Sequence, residues 1–179
     1  MAACDVTLVS PNGETVSIPA ASAWNHIGLL QRLAELDESG CTEMPEIELG
    51  FSTEVLRAVA DYLEKSSRFV IDARRPLTGS LRDFVPEWNL DFVRGAERRE
   101  ILMPLFECAC FLCVVELREL LGAYVAERVN EIAREAPSIM EGAARLRTYL
   151  QLENEWTEEE TEHLEQEMRY AKQVDPFAY

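Results

Sequence analysis

Lysine is almost missing from this chain. Only Lys65 and Lys172 occur, and with the arginines the basic total reaches 17 against 33 aspartates and glutamates. A formal net charge of −16 leaves no broad positive face. Nucleic acid and anionic membranes both need one, so neither is expected as a partner. Long apolar runs are also missing. The longest, Leu102 to Val115, is broken by Pro104 and Glu107 and is shorter than the roughly 20 residues that span a bilayer. No Gly-rich phosphate loop is present. The two histidines, His26 and His163, fall on different predicted helices. No motif supplies either with a nucleophile and an orienting group, so the sequence predicts no enzyme and no cofactor.

Cysteine is present but unordered. Cys4, Cys41, Cys108, Cys110 and Cys113 are odd in number and irregular in spacing. The opening Met1-Ala2-Ala3-Cys4-Asp5 has neither the basic nor the apolar part of a secretory leader, and together these features predict a reduced, intracellular setting. Cys108-x-Cys110-x-x-Cys113 invites a zinc reading, but tetrahedral zinc takes four ligands, usually from loops. Here three cysteines sit in an apolar predicted helix with no fourth ligand nearby, so buried free thiols are the expectation and no metal is assigned. Glu158, Glu159 and Glu160 fix no coordination sphere.

At 179 residues the chain is long enough to bury a real core. Residues 5–18 alternate as a hairpin, with Val6, Leu8 and Ser10 on one face, a Pro11-Asn12-Gly13 turn, and Val16 and Ile18 returning. A helix after Pro19 and Ser22 should carry Ile27, Leu30, Leu33 and Ala34 on one face, ended by Asp37 to Gly40. Ile47-Glu48-Leu49 reads as a short strand. Ser52 can cap a helix whose apolar face is Val55, Leu56, Val59, Tyr62 and Leu63.

Residues 66–87 read as a long loop, with arginines from Arg68 to Arg99 on a solvated surface. Helix is expected from Glu100 to Ala133, its first part buried through Leu102, Leu105, Phe106, Ala109 and Leu112, with a break near Cys113-Val114-Val115. After Pro137 a weaker helix runs from Ser138 to Tyr149. The stretch 150–170 places Leu150, Leu152 and Trp156 before an acidic run and Leu164, Met168 and Tyr170 after it. Thr157 and Glu160 have the spacing of a capping box. A helix so polar, with one thin apolar stripe, needs a hydrophobic partner. Residues 173–179 form a tail, of which Asp175-Pro176-Phe177-Ala178-Tyr179 is expected to be loose, with aromatics able to dock.

In this order, several motifs resemble the Skp family, the F-box-binding adaptors of cullin–RING ubiquitin ligases. Val6-x-Leu8-x-Ser10-x-Asn12-Gly13-Glu14 resembles the family's opening strand and turn. Val85-Pro86-x-Trp88-x-x-x-Phe92 resembles its Ile-Pro-x-Trp-Asp-x-x-Phe. Ala109-Cys110-Phe111-Leu112 stands for Ala-Asn-Tyr-Leu, and Val125-Ala126 for Val-Ala. Leu150-x-Leu152-x-Asn154-Glu155-Trp156-Thr157-Glu158-Glu159-Glu160 resembles Phe-x-Ile-x-Asn-Asp-Phe-Thr-x-Glu-Glu.

The resemblance implies an α+β fold: a BTB/POZ-like part over 1–133, with a small three-stranded sheet, and C-terminal F-box-binding helices over 134–172. It implies a non-catalytic adaptor, cytoplasmic and nuclear, joining an F-box protein to a cullin. The F-box surface would comprise Leu102, Leu105, Val125, Val129, Leu150, Leu152, Trp156, Leu164 and Tyr170, the last standing where the family has Trp. The cullin surface would comprise Cys110 and Phe111, with the loop before Ile47. For each the plainer reading is core packing. An exposed apolar groove would favour a homodimer when unpartnered.

The departures are specific. Cys110-Phe111 replaces Asn-Tyr, Gly50 replaces Pro-Asn, and Arg118 replaces an apolar residue. The stretch 134–144 carries about nine extra residues by alignment of the flanking motifs. No proline follows Thr157, so hydroxyproline cannot form there. These changes leave open a second reading, an F-box-binding subunit of a cullin-independent assembly such as a kinetochore or proton-pump regulator.

Overall fold

The computed structural model describes residues 5–36, 46–66 and 79–174. The chain divides into two compact units, 1–125 and 126–179. The class is mixed α+β, with three strands and eight α-helices among the described residues.

In the first unit β1 (Val6–Val9) pairs antiparallel with β2 (Thr15–Ile18), Val6 facing Ile18 and Val9 facing Thr15. The two-residue period turns Val6, Leu8, Val16 and Ile18 into the core. The connection is not the tight Asn-Gly turn the sequence suggests. It is a loop from Ser10 to Glu14: the Ser10 amide donates to the Glu14 carbonyl at 2.9 Å, and the Gly13 amide to the Ser10 carbonyl at 2.9 Å. Gly13 alone in this loop has positive φ, at 79°. The Asn12 side chain instead accepts the hydroxyls of Ser10 and Thr53. The Thr53 hydroxyl also donates to Ser10 Oγ at 3.0 Å, tying the loop to the helix that Thr53 begins.

The expected first helix is two. Following α1 (Ala20–His26), Ile27 is extended (φ −91°, ψ 96°), and α2 runs Gly28–Leu36. Leu30, Leu33 and Ala34 keep one helical phase within α2, but the buried stripe stops after Leu30. Ile27 and Leu30 stay buried, whereas Leu33 is 43 % exposed and Ala34 is exposed. The proposed stop at 37–40 lies outside the described residues. β3 (Ile47–Glu48) adds parallel to β1, giving the order β2-β1-β3. α3 (Thr53–Ser66) begins with the Val55 amide donating to Ser52 Oγ at 3.4 Å. It buries Val55, Leu56, Val59, Tyr62 and Leu63, as their spacing predicts.

Of the expected loop 66–87, Ser66 closes α3, and residues 67–78 lie outside the described set. A 3₁₀ turn follows (Leu81–Asp83), then α4 (Glu87–Arg98), whose Trp88 and Phe92 lie one turn apart and pack on Tyr62 at ring-centroid distances of 5.7 and 5.3 Å. Arg82, Arg94, Arg98 and Arg99 are exposed. Arg99 pairs with Glu54 at 3.5 Å, a surface contact of little energetic weight. α5 (Leu102–Phe111) packs against α3 and α4. A break at 112–114 precedes α6 (Val115–Glu135), close to its predicted place.

Two of these helices end alike. After α4 the Glu100 amide donates to the Glu97 carbonyl and the Ile101 amide to Ala96; after α5 the Cys113 amide donates to Cys110 and the Val114 amide to Ala109. Glu100 and Cys113 are left-handed, at φ 58° and 54°. This is the Schellman ending, in which the apolar residue after the left-handed one folds back on the helix, and Ile101 and Val114 are both buried. The turn after α5 also serves α2. The Gly28 amide donates to the Cys113 carbonyl at 3.3 Å and the Leu29 amide to Leu112 at 3.1 Å, satisfying helix-start donors that lack partners within α2. A Cβ at residue 28 would lie 3.0 Å from both the Cβ and the carbonyl oxygen of Cys113. Gly28→Ala should therefore cost about 1–3 kcal/mol through overpacking, read as a lower denaturant midpoint with unchanged slope.

The second unit contains α7 (Ile139–Tyr149) and α8 (Glu158–Val174). Ser138 caps α7, its Oγ accepting the Glu141 amide at 3.2 Å.

Candidate functional site

The start of α8 is built as its sequence predicts. The Glu160 amide donates to Thr157 Oγ1 at 3.2 Å, while the Thr157 amide and hydroxyl donate to Glu160 Oε2 at 2.9 and 3.0 Å. This reciprocal box fixes the first turn without help from packing. The Thr157 backbone N–H, and after it the hydroxyl, holds the Glu160 carboxyl below its ordinary pKa. The contribution of the box is thus complete above the ordinary carboxylate range and is lost as pH falls through the depressed value. Thr157→Ala should speed amide exchange in the first turn of α8 by about fivefold, measured by hydrogen exchange at neutral pH.

The second unit has almost no interior. Among its described residues only Gly142 is buried, whereas Ile139, Leu152, Trp156, Tyr170 and Val174 are exposed. The end of α7 makes the point locally. It repeats the Schellman pattern, with the Gln151 amide donating to Thr148, the Leu152 amide to Arg147 at 2.9 Å, and Gln151 at φ 57°. Ile101 and Val114, the equivalent apolar residues of α4 and α5, are buried; Leu152 is 59 % exposed. Glu155, Trp156, Glu160, His163, Leu164 and Glu167 line a recess of about 450 Å³. Its lining combines two apolar side chains, Trp156 and Leu164, with three carboxylates and an imidazole. Such a surface suits an apolar anchor flanked by a cation.

The proposed F-box residues fall into three groups. Leu152, Trp156 and Tyr170 are exposed, at 59 %, 46 % and 69 %. Val125, Val129, Leu150 and Leu164 are half-buried. Leu102 and Leu105 are 4 % and 0 % exposed and pack in the core of the first unit, so in this conformation they present no surface to a partner. Their placement follows from helical spacing: Leu102, Leu105, Cys108 and Ala109 share the one buried face of α5, while Glu107, Cys110 and Phe111 are exposed.

At the cullin-assigned position, Cys110 and Phe111 are both exposed. Phe111 has an aromatic neighbour the sequence reading missed: Phe51 approaches it edge-on at a centroid distance of 6.4 Å. The signal was there in principle, since Phe51 is a lone aromatic three residues past the short third strand. Of the loop before Ile47, residues 41–45 lie outside the described set. Arg118 is half-buried.

His26 lies 3.7 Å from Glu116, and His163 lies 3.4 Å from Glu167. Among the described residues no group of three or more histidine, cysteine or acidic side chains could hold a metal ion. Also among the described residues, no helix is long and apolar enough to cross a membrane. No family model and no curated protein matches the chain.

Proposed function

We propose that the chain is a non-catalytic adaptor that joins an F-box protein to a cullin in an SCF-type ubiquitin ligase. The observation that carries this reading is the second unit, where ordered helices expose their large apolar side chains and bury almost none. Helices of this kind gain stability chiefly by packing, so a partner that covers Leu152, Trp156 and Tyr170 supplies what the unit lacks. An amphipathic helical segment laid into such a surface is an established recognition mode. The first unit contributes the BTB/POZ-like part, supported by its small mixed sheet packed against α3, and Cys110 and Phe111 on its surface provide the cullin-facing site.

The test is capture from solution. The purified full chain should bind an F-box helical segment, and the resulting complex should retain a cullin N-terminal domain. An F-box segment without affinity for the chain overturns the adaptor reading. A second reading keeps the F-box partner and drops the cullin. It is favoured by one observation: Cys110 and Phe111 carry neither the amide nor the phenolic hydroxyl of the Asn-Tyr pair they resemble. Binding of the F-box segment with no retention of the cullin domain selects it.

A further inference from the structure

Three cysteines lie in or directly after α5, and their surroundings differ. Cys108 is buried, Cys110 is exposed and Cys113 is half-buried. Cys110 and Cys113 are joined by the Schellman turn, with the Cys113 amide donating to the Cys110 carbonyl at 3.2 Å. A hydrogen-bonded turn of this span keeps its first and fourth Cα atoms within roughly 7 Å, overlapping the range of about 4.4–6.8 Å that disulfides bridge. We infer that Cys110 and Cys113 are a redox-modifiable pair that closes to a disulfide across the end of α5.

The step balances with a peroxide as oxidant. The Cys110 thiolate attacks one oxygen of hydrogen peroxide, the O–O bond breaks, and hydroxide leaves to become water. The Cys113 thiolate then attacks the resulting sulfenic sulfur; the S–S bond forms, the S–O bond breaks, and a second water departs. Two thiols are oxidised and one peroxide is reduced; a dithiol reverses the reaction by exchange. Cys108 does not compete. Burial pushes its thiol up to about 12, which starves it of thiolate, and it offers no surface to the oxidant.

The bridge closes around Phe111 and stiffens the turn whose carbonyls hold the Gly28 and Leu29 amides. Its effect on binding rests on the proposed role of Cys110 and Phe111 in facing a cullin; the bridge itself does not.

The experiment treats the folded full chain with hydrogen peroxide, alkylates it before and after denaturation, and maps the tryptic peptide Glu100–Arg118, which contains all three cysteines. The expected product is that peptide lighter by two hydrogens, with Cys108 as its only alkylated residue, regenerated by dithiothreitol. Cys110→Ser and Cys113→Ser should each abolish it. In the oxidised wild type, amide exchange at Gly28 and Leu29 should slow. A bridge to Cys108, a dimer linked through Cys110, or three alkylated cysteines in that peptide overturns the assignment. A parallel measurement compares the cullin-domain affinity of reduced and oxidised chains. A change of roughly tenfold, missing from the serine variants, supports control of that face. Formation of the bridge with unaltered cullin affinity overturns the control and leaves the modification site standing.

Discussion

Replacing Leu152 and Tyr170 together by aspartate is expected to weaken binding of an F-box helical segment by roughly a hundredfold or more, because central apolar anchors contribute about 2 kcal/mol or more each when lost. Both side chains already stand in solvent, at 59 % and 69 % exposure, so their replacement removes little that holds the chain together. The unfolding midpoint and helical content should therefore match wild type. The choice of residues matters. Leu105 was part of the same proposed surface, but it has no exposed area. An aspartate there would place a charge in the core and unfold the first unit, and the lost binding would say nothing about the docking surface. Calorimetric titration of the double variant, paired with its melting curve, separates the two effects. Wild-type affinity in a folded Leu152→Asp, Tyr170→Asp chain rejects this placement of the binding surface.

The largest change in stability is expected at Tyr62. The ring is fully buried and packs against Trp88 and Phe92, and truncation to alanine should cost about 3–5 kcal/mol through lost burial and the cavity left behind. Tyr62→Phe should act in the opposite sense. Among the described residues the buried Tyr62 hydroxyl has no hydrogen-bond partner, a burden of about 1–3 kcal/mol for a group taken from water. Its phenol is also held well above the usual range, by burial first and by the nearby charge of Glu116 second. Removing the hydroxyl while keeping the ring should raise the denaturant midpoint by the equivalent of about 1 kcal/mol. A lower midpoint for Tyr62→Phe would show that the oxygen is paired in solution. The buried amide of Asn89, neither of whose polar atoms is paired among the described residues, predicts the same sign for Asn89→Leu.

Where the sequence was legible, a single local rule set the outcome. Alternation placed Val6, Leu8, Val16 and Ile18 inward, and helical spacing named the buried face of α3. The Thr157–Glu160 box formed at the spacing that predicts it. Where it was not, the deciding partner lay far along the chain. The single expected helix is divided at Ile27, and α2 restarts where its first amides meet carbonyls near residue 113. Asn12 signals a tight turn locally, yet its side chain is taken by Ser10 and Thr53. Tyr62 reads as core from its spacing, but spacing does not tell that its hydroxyl meets no partner among the described residues. At the candidate site, the exposure of Leu152, Trp156 and Tyr170 agreed with the thin apolar stripe of their segment. The burial of Leu102 and Leu105 could not be separated from docking by pattern alone, because both uses call for the same side chains.

The union of the α2 start with the turn at Leu112 and Cys113 bears on how the polypeptide matures during translation. While a ribosome is still making the middle of the chain, Gly28 and Leu29 have already emerged, yet the carbonyls they require do not exist. The amino-terminal helices must wait, hydrated and unlatched, until the last turn of α5 leaves the exit tunnel. Nascent chains arrested before that point should remain open to proteases and to chaperones, and those arrested well beyond it should resist both.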